Sequence, residues 1–237
     1  MIIKKYEDIL SVKLVSYTQP SEEFNHLNSN EFGSCITNLI SYCARVSSPS
    51  NQNNLETSEK LIKYLVRNRH WSPFEMVNVC LEVTSTRDIV RQILRHKSFS
   101  FQEFSQRYAN PVNDLEFCIR EARIQDPINR QNSLLTNDQT LINWWEKMQY
   151  EGILKAEETY SVAIQLGIAK EVARCVLPEG NTVSRVYING SIRSWIHYID
   201  VREKNGTQKE HMLVANRCAE VITNIFPNIR PESKTKA

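Results

Sequence analysis

The stretch VNVCLEVTSTRDIVRQILRH, residues 77–96, changes its hydrophobic period near its middle. In the first half Val77, Val79, Leu81 and Val83 alternate with their neighbours. A period of two places these four side chains on one face of an extended chain, so the segment predicts a β-strand with one buried face.

A helix is predicted directly after this strand, over TRDIVRQILRH (86–96), where apolar residues recur at helical spacing. Ser85, followed three residues later by Asp88, has the spacing of a capping box, which satisfies free backbone N–H groups at a helix start. The stretch therefore predicts a strand that passes into a helix with almost no loop between them.

The remaining chain contains more helical than strand-like segments. Two further strands are predicted, at 11–18 and 182–189. Helices are predicted at 36–47, 55–68, 138–165, 168–177 and 191–203. A second capping box, Thr207 with Glu210, predicts a helix that reaches about residue 224.

Residues 109–137 are polar, contain Pro111 and Pro127, and show no sustained period, so we interpret them as a long, substrate-facing loop. The whole predicts one α+β (mixed α/β) domain over 1–237, with helices around a small central β-sheet and a flexible tail at 233–237.

Composition excludes several classes of protein. Among 237 residues the formal net charge is +2, so net charge predicts no affinity for nucleic acid. The six cysteines form no CxxC pair, and no carboxylate cluster has the spacing of a metal site. The opening MIIKKYEDIL is too short and too charged for a signal peptide, and no apolar run approaches membrane-spanning length. We therefore expect a cytoplasmic protein with reduced thiols and no membrane partner.

Three arginines, Arg87, Arg91 and Arg95, fall at i, i+4 and i+8 and share one face of the predicted helix. Taken alone, this row favours a solvated basic stripe whose members pair with distant carboxylates. The segment that follows, RHKSFSFQEFSQRY (95–108), changes the interpretation. Its Glu and Gln side chains can bind a base edge or a sugar hydroxyl, and its Ser and Arg side chains can bind phosphate. It therefore predicts a nucleotide pocket.

The same segment resembles the signature of the flavin-dependent thymidylate synthases, which is written R-H-R, seven residues, S. Here the pattern is Arg95-His96-Lys97, seven residues, Ser105. The match continues through Gln102-Glu103 and Arg107-Tyr108. Four further blocks resemble the family in its order: HWSPFEM (70–76), EVARCVLP (171–178), RSWIHYIDVR (193–202) and TQKEH (207–211).

The chain departs from the family pattern at four places. Lys97 replaces the last arginine of the signature, which keeps the charge but loses the bidentate guanidinium. Met76 replaces a histidine, and His197 stands where a second asparagine is usual. Ser191-Ile192-Arg193 replaces the usual N-A-R, and either Ser191 or Asn189 could take the role of the amide.

The resemblance implies that dUMP becomes dTMP, with 5,10-methylenetetrahydrofolate as carbon donor and FAD reduced by NADPH. It also implies a homotetramer whose sites lie between subunits. The chain has no GxGxxG motif and only 6 glycines, which argues against a Rossmann cradle. Arginine, histidine and hydroxyl side chains would then hold the phosphates of FAD.

The resemblance also assigns residue roles. Arg202 is the predicted catalytic residue, because a fixed arginine stabilises negative charge that develops on the uracil ring. The predicted dUMP ligands are Arg91, Gln92, Arg95, Glu103, Ser105, Gln106, Arg107, Arg174 and Arg202. The predicted FAD ligands are Ser72, Glu75, Arg95, His96, Lys97, Glu103, Ser191, Arg193 and His197. His70 and Tyr108 are placed on the folate or nicotinamide side, and no metal is predicted.

Four further features allow more than one role. Cys175 lies beside Arg174, and a cation lowers a thiol pKa, but its apolar neighbours predict a buried structural thiol. Ser105 has no adjacent base to activate it, so we expect a ligand rather than a nucleophile. His211 is predicted at the surface, and the pair Trp144-Trp145 in the core or in a subunit contact.

The competing hypothesis is a non-catalytic module that binds RNA or single-stranded nucleic acid. It would use the arginine row with Phe99, Phe101, Phe104 and Tyr108 as stacking surfaces. The near-neutral net charge and Glu103 argue against it.

Overall fold

The computed structural model describes residues 3–28, 34–204 and 206–230. Its strands are β1 Ile3–Lys5, β2 Ser11–Tyr17, β3 Asn78–Thr86, β4 Ser100–Glu103, β5 Phe117–Ile119, β6 Arg123–Gln125, β7 Ser133–Leu135 and β8 Val183–Ser191. Its helices are α1 Tyr6–Ile9, α2 Cys35–Ala44, α3 Ser58–Arg67, α4 Arg87–Ile93, α5 Pro111–Asp114, α6 Gln139–Gln165, α7 Lys170–Ala173, α8 Ile192–Arg202 and α9 Lys209–Thr223. Short 3-10 turns occur at Glu22–Asn28, Pro49–Asn51, Ser72–Met76, Arg174–Val176 and Pro227–Ile229.

The central sheet has four antiparallel strands in the order β2-β3-β8-β4. The alternating residues of β3 behave as the sequence predicts, since Val79, Leu81 and Val83 are fully buried. In the register of β3 with β8, Leu81 lies opposite Ile188, and Ile188 lies opposite Phe101 of β4. The mixture of helices and a small central sheet confirms the predicted α+β class.

Helices α2, α3, α8 and α9 contribute to one hydrophobic core with this sheet. Trp195 of α8 is fully buried and donates its indole N–H to the Val79 carbonyl at 3.0 Å, which ties the helix to the middle of the sheet. Phe99 packs against Trp195 and against the backbone of Gly190, where any side chain would overlap the Phe99 ring. Glycine is needed there because the chain before β4 passes so close to β8.

The prediction of a long loop over 109–137 is wrong. Strand β5 lies within it, pairs in parallel with β1 at the other end of the chain, and has Phe117 and Cys118 fully buried. Helix α5 and the hairpin β6–β7 account for much of the rest. Three residues are too few to show a period, and the partner strand is more than a hundred positions away, so local sequence carries no signal for this pairing.

Both predicted capping boxes are also wrong. Ser85 lies inside β3, where its hydroxyl is 2.6 Å from Tyr6 Oη, and Thr86 precedes α4 without a side-chain cap. Helix α9 begins after Gln208, and the buried Glu210 binds Arg123. In both cases a tertiary partner outcompetes the local backbone for the side chain.

The helix predicted at 168–177 is only α7 followed by the 3-10 turn Arg174–Val176. Within that turn Cys175 is exposed, so its predicted burial is wrong. Trp144 and Trp145 are 55% and 38% exposed, which excludes the core position offered for them. The predicted tail at 233–237 lies outside the described residues. No helix in the described ranges combines the length and apolar character needed to cross a membrane.

Candidate active site

The end of β8 and the start of α8 bring together three predicted flavin ligands. Ser191 is the N-cap of α8 and accepts from the Ser194 backbone N–H at 3.3 Å. Its hydroxyl also donates to Glu75 Oε2, while Arg193 Nη1 donates to Glu75 Oε1 at 2.8 Å. The Glu75 carboxylate therefore joins the block HWSPFEM (70–76) to the block RSWIHYIDVR (193–202). Asn189, the alternative to Ser191, is an exposed residue of β8.

Other predicted flavin-side residues lie on the protein surface. Arg193 and His197 are both exposed on α8, one turn apart, as the i, i+4 spacing predicts. Ser72 is exposed at the start of the turn Ser72–Met76. The exposed His70 packs edge-on against the Tyr64 ring, with ring centres 5.9 Å apart.

The signature block meets the last helix block at His96 and Arg202. Arg202 Nε donates to His96 Nε2 at 3.0 Å, and the His96 ring stands edge-on to Tyr198 with ring centres 5.0 Å apart. Burial lowers the pKa of His96 to about 4, and the nearby positive charge of Arg202, His197 and Arg95 acts in the same direction. His96 is therefore a neutral imidazole at physiological pH, with its Nε2 lone pair directed at Arg202.

Gln92 lies at the start of a chain of two half-buried amides that leads to a buried carboxylate. Its Nε2 donates to Gln208 Oε1 at 2.7 Å, and Gln208 Nε2 donates to Glu210 Oε2 at 2.9 Å. Glu210 is 3% exposed and also pairs with Arg123 at 2.7 Å. On the other side, Gln92 Oε1 lies 3.2 Å from His211 Nδ1.

The prediction that His211 lies at the surface is wrong, because its side chain is fully buried. Burial lowers the pKa of His211 to about 3, and the nearby charge of Arg202 and the His96 ring add to the effect. The centre of the His211 ring lies 5.7 Å from the centre of the Tyr198 ring and 6.3 Å from the centre of the His96 ring. The block TQKEH signalled that this region matters, but no periodicity identified Gln208, Glu210 and His211 as neighbours of Gln92.

Glu103 is held on one side by two buried partners. Ser184 Oγ donates to Glu103 Oε1 at 2.9 Å, and Arg87 Nη1 lies 3.2 Å from the same oxygen. The second oxygen, Oε2, has no hydrogen-bond partner among the described residues, so it can accept from a ligand.

The predicted arginines and Lys97 divide into two groups by charge compensation. Three of the arginines have carboxylate partners: Arg91 with Glu179, Arg107 with Glu171, and Arg193 with Glu75. Four cations make no ion pair within residues 3–28, 34–204 and 206–230: Arg95, Lys97, Arg174 and Arg202. Uncompensated guanidinium and ammonium groups are suited to phosphate and to a developing anion.

A second set of predicted ligands lies around a cavity of about 400 Å³, which is lined by Ser105, Arg107, Tyr108, Ala169, Lys170 and Glu171. The Tyr108 side chain is 89% exposed, and its carbonyl accepts from Lys170 Nζ at 2.9 Å. Gln106 is instead buried, and its Nε2 has no partner in the described chain. In that same part of the chain no hydrogen bond or ion pair joins this set to His96, Gln92 or Arg202.

Comparison with known proteins gives one family. The model of the family described as thymidylate synthase complementing protein matches residues 35–228. A "probable flavin-dependent thymidylate synthase" of Paramecium bursaria Chlorella virus 1 is 45% identical over 93% of this chain and 97% of its own length. A flavin-dependent thymidylate synthase of a Synechocystis species is 44% identical with the same coverage.

The fold is also found among solved structures. A UMP/dUMP methylase, PolB from Streptomyces cacaoi, crystallised with 5-Br dUMP, superposes with a TM-score of 0.75. The match covers 93% of this chain and 92% of that one, at 24% sequence identity. At that identity the likeness shows the shared architecture.

Proposed function

This chain belongs to the family of flavin-dependent thymidylate synthases, and from that premise we propose that it methylates dUMP to dTMP. It is then an FAD-dependent methyltransferase, with 5,10-methylenetetrahydrofolate as carbon donor and NADPH as the source of reducing equivalents. The observation that carries the proposal is the hydrogen bond from Arg202 to His96, since it joins the signature to a block about a hundred residues further along the chain.

The donor set fits FAD in its chemistry. A diphosphate needs positive charge, and among the arginine and lysine residues of the predicted flavin set Arg95 and Lys97 have no ion-pair partner in the described chain. Glu75, Ser191 and Arg193 already hold one another, so they offer a pre-formed polar edge instead of net charge. When bound, FAD supplies the hydride-transfer chemistry that no side chain can provide.

Arg202 is assigned to the uracil ring and Arg174 to the nucleotide phosphate. Negative charge develops on the ring when it is reduced, and a fixed cation in a partly dry site stabilises that charge. Because Nε of Arg202 is bonded to His96, its two Nη groups are left for the nucleotide. Gln92 and Glu103 are assigned to polar groups of the base and sugar.

We assign binding roles, and no nucleophilic role, to Ser105 and its neighbours. The Ser105 side chain is exposed and has no hydrogen bond to a histidine or lysine base in the described chain, so nothing there activates it. Cys175 is exposed, so burial no longer argues against it. The flavin-based mechanism requires neither residue as a nucleophile.

The proposal includes a homotetramer with sites shared between subunits. Within the described residues Ser105, Arg107 and Tyr108 make no hydrogen bond or ion pair to the His96–Arg202 group, which supports a site completed by residues from another copy. Helix α6 presents exposed apolar side chains suited to such contacts, among them Trp144, Leu154 and Val162. Sedimentation of the purified protein tests the tetramer.

The absorbance spectrum of the purified protein, with and without added FAD, tests the flavin assignment. Under anaerobic conditions NADPH should bleach the flavin, and dUMP should accelerate bleaching because Arg95 is assigned to both ligands. Formation of dTMP from dUMP and methylenetetrahydrofolate then completes the test. Absence of bleaching in FAD-loaded protein would overturn the proposal.

A further inference from the structure

Two neutral imidazoles lie side by side behind the residues assigned to dUMP. The ring centres of His96 and His211 are 6.3 Å apart, and the two ring planes make an angle of 89°. The Tyr198 ring packs against both, with its centre 5.0 Å from that of His96 and 5.7 Å from that of His211. Each imidazole holds a different side chain: His96 contacts Arg202, and His211 contacts Gln92.

The amide chain determines the tautomer of His211. The Glu210 carboxylate can only accept, so Gln208 must present its NH₂ to Glu210 and its oxygen to Gln92. Gln92 must then present its NH₂ to Gln208, and its oxygen faces His211 Nδ1. An amide oxygen only accepts, so His211 carries its proton on Nδ1. Its buried Nε2 then keeps a lone pair without a partner in the described chain.

The tautomer of His96 follows from Arg202. A guanidinium has no acceptor, so His96 Nε2 must be unprotonated to receive the Arg202 Nε–H. The proton of neutral His96 therefore sits on Nδ1. Protonation of Nε2 would break the bond and place two positive charges 3.0 Å apart.

An imidazole acceptor leaves the charge of Arg202 intact. Arg91, Arg107 and Arg193 are oriented by carboxylates, which cancel their charge. Arg202 is oriented by a neutral ring, and no described carboxylate lies within ion-pair distance of it. It therefore combines a fixed direction with a full positive charge, which is what stabilisation of a developing anion requires.

From these contacts we infer that His96 and His211 are a pair of positioning residues for the nucleotide. His96 orients Arg202 without neutralising it. His211, together with Gln208 and Glu210, fixes which edge of the Gln92 amide faces the substrate. This inference rests on the proposed function, and it adds residues that act through Arg202 and Gln92.

Histidine NMR tests the tautomers without any assay of activity. The chain has five histidines, so ¹⁵N-labelled imidazoles can be assigned by substitution of one histidine at a time. In the FAD-loaded protein at pH 7, His96 and His211 should both be neutral with the proton on Nδ1. A protonated ring, or an Nε2–H tautomer at either residue, would overturn the inference.

Matched substitutions test the positioning roles. In His96→Gln the amide can still offer an acceptor near the place of Nε2, whereas His96→Leu offers none. His211→Asn can still place a donor near Nδ1, whereas His211→Leu cannot. Gln208→Leu breaks the amide chain at a less buried residue, which guards against a folding defect at His211. Circular dichroism and thermal melting establish which variants fold.

With saturating FAD, His96→Leu should lower kcat roughly tenfold to a hundredfold, the loss expected for a hydrogen bond to a charged group. His96→Gln should recover part of that loss. In an Arg202→Ala background, His96→Leu should cause almost no further loss, because the two residues act as one unit. If His96→Leu weakens only FAD binding and leaves kcat unchanged, His96 is a flavin ligand and not a positioning residue.

His211→Leu and Gln208→Leu should both raise KM and the calorimetric Kd for dUMP up to about tenfold, with a smaller effect on kcat. His211→Asn should stay closer to the wild type. Equal dUMP affinity for wild type, His211→Leu and Gln208→Leu would overturn the role of the amide chain. Failure of the wild-type protein to form dTMP would instead overturn the proposed function, since the NMR and dUMP-binding results do not depend on turnover.

Discussion

Arg193 Nη1 lies 2.8 Å from Glu75 Oε1, an ion pair that joins the first turn of α8 to the turn Ser72–Met76. Both side chains are partly exposed, at 51% and 38%, so the pair contributes little to stability. The pair instead compensates the charge of Arg193. Arg95 and Lys97 are then the uncompensated arginine and lysine of the predicted flavin set.

Lys97→Ala should therefore weaken FAD binding, by about tenfold, with the melting temperature unchanged. The side chain is exposed and makes no ion pair in the part of the chain that the structure describes, so its removal costs the fold nothing. Lys97→Arg should preserve or tighten FAD binding, because a guanidinium offers a bidentate fork. A fluorescence titration with FAD measures all three proteins, and equal affinity for Lys97→Ala and wild type would show that Lys97 does not contact the cofactor.

Ser105→Ala should lower kcat/KM by about one to two decades, since loss of one hydrogen bond to a charged group costs roughly 1.5–3 kcal/mol. Arg202→Ala should lower kcat by about a hundredfold or more, because it removes charge stabilisation where the anion develops. Arg202→Lys should recover little, since a point charge does not reproduce a planar fork held by His96.

The measurement is dTMP formation at saturating dUMP and FAD. A Ser105→Ala variant that binds dUMP but is inactive, beside an active Arg202→Ala variant, would reverse the assignment and make the serine the reacting group.

Cys175→Ser should retain turnover within about threefold of the wild type. The thiol lies exposed in the turn Arg174–Val176, and the flavin supplies the chemistry that a cysteine nucleophile would otherwise provide. Loss of dTMP formation in Cys175→Ser, with FAD and dUMP binding intact, would make Cys175 a reacting group. Cys43→Ser, a partly buried thiol of α2, is the matched control.

Stability should fall as pH falls from about 6.5 towards 5. The pKa values of His96 and His211 lie at about 4 and about 3 in the folded chain, below the ordinary value of 6.5. The unfolded chain therefore binds more protons in this window, and linkage makes folding less favourable as pH decreases. Above pH 6.5 the contribution is fully present, and its loss continues down to the folded pKa values.

Thermal melting at pH 7.5, 6.5, 5.5 and 5 measures this dependence. The groups that face His211 are Gln92 from α4, Tyr198 and Arg202 from α8, and His96. His211→Leu should show a shallower decline, because one buried base no longer has to stay unprotonated. An equal decline in wild type and His211→Leu would contradict the assignment of His211 as the titrating group.

Local patterns determined a large part of this protein. The alternation in 77–83 predicts β3, and the structure places Val79, Leu81 and Val83 in the core. The long apolar period at 138–165 predicts α6, which begins after its N-cap Asp138. The motif blocks identified the family, which the family match confirms. These features depend on neighbouring residues or on residue identity, so they can be recognised without coordinates.

Tertiary structure alone decided which groups meet. Arg91 lies on α4 and pairs with Glu179, whereas Arg95 lies beyond the last residue of α4, Ile93, and has no ion-pair partner in the described chain, although the sequence predicts both on one helix face. Strand β5 is buried because β1 is its partner, and His211 is buried because α4 and α8 cover it. The hydrogen bond from Arg202 to His96 likewise spans about a hundred residues. Charge compensation and burial depend on distances between remote segments, and these distances exist only once the chain has folded.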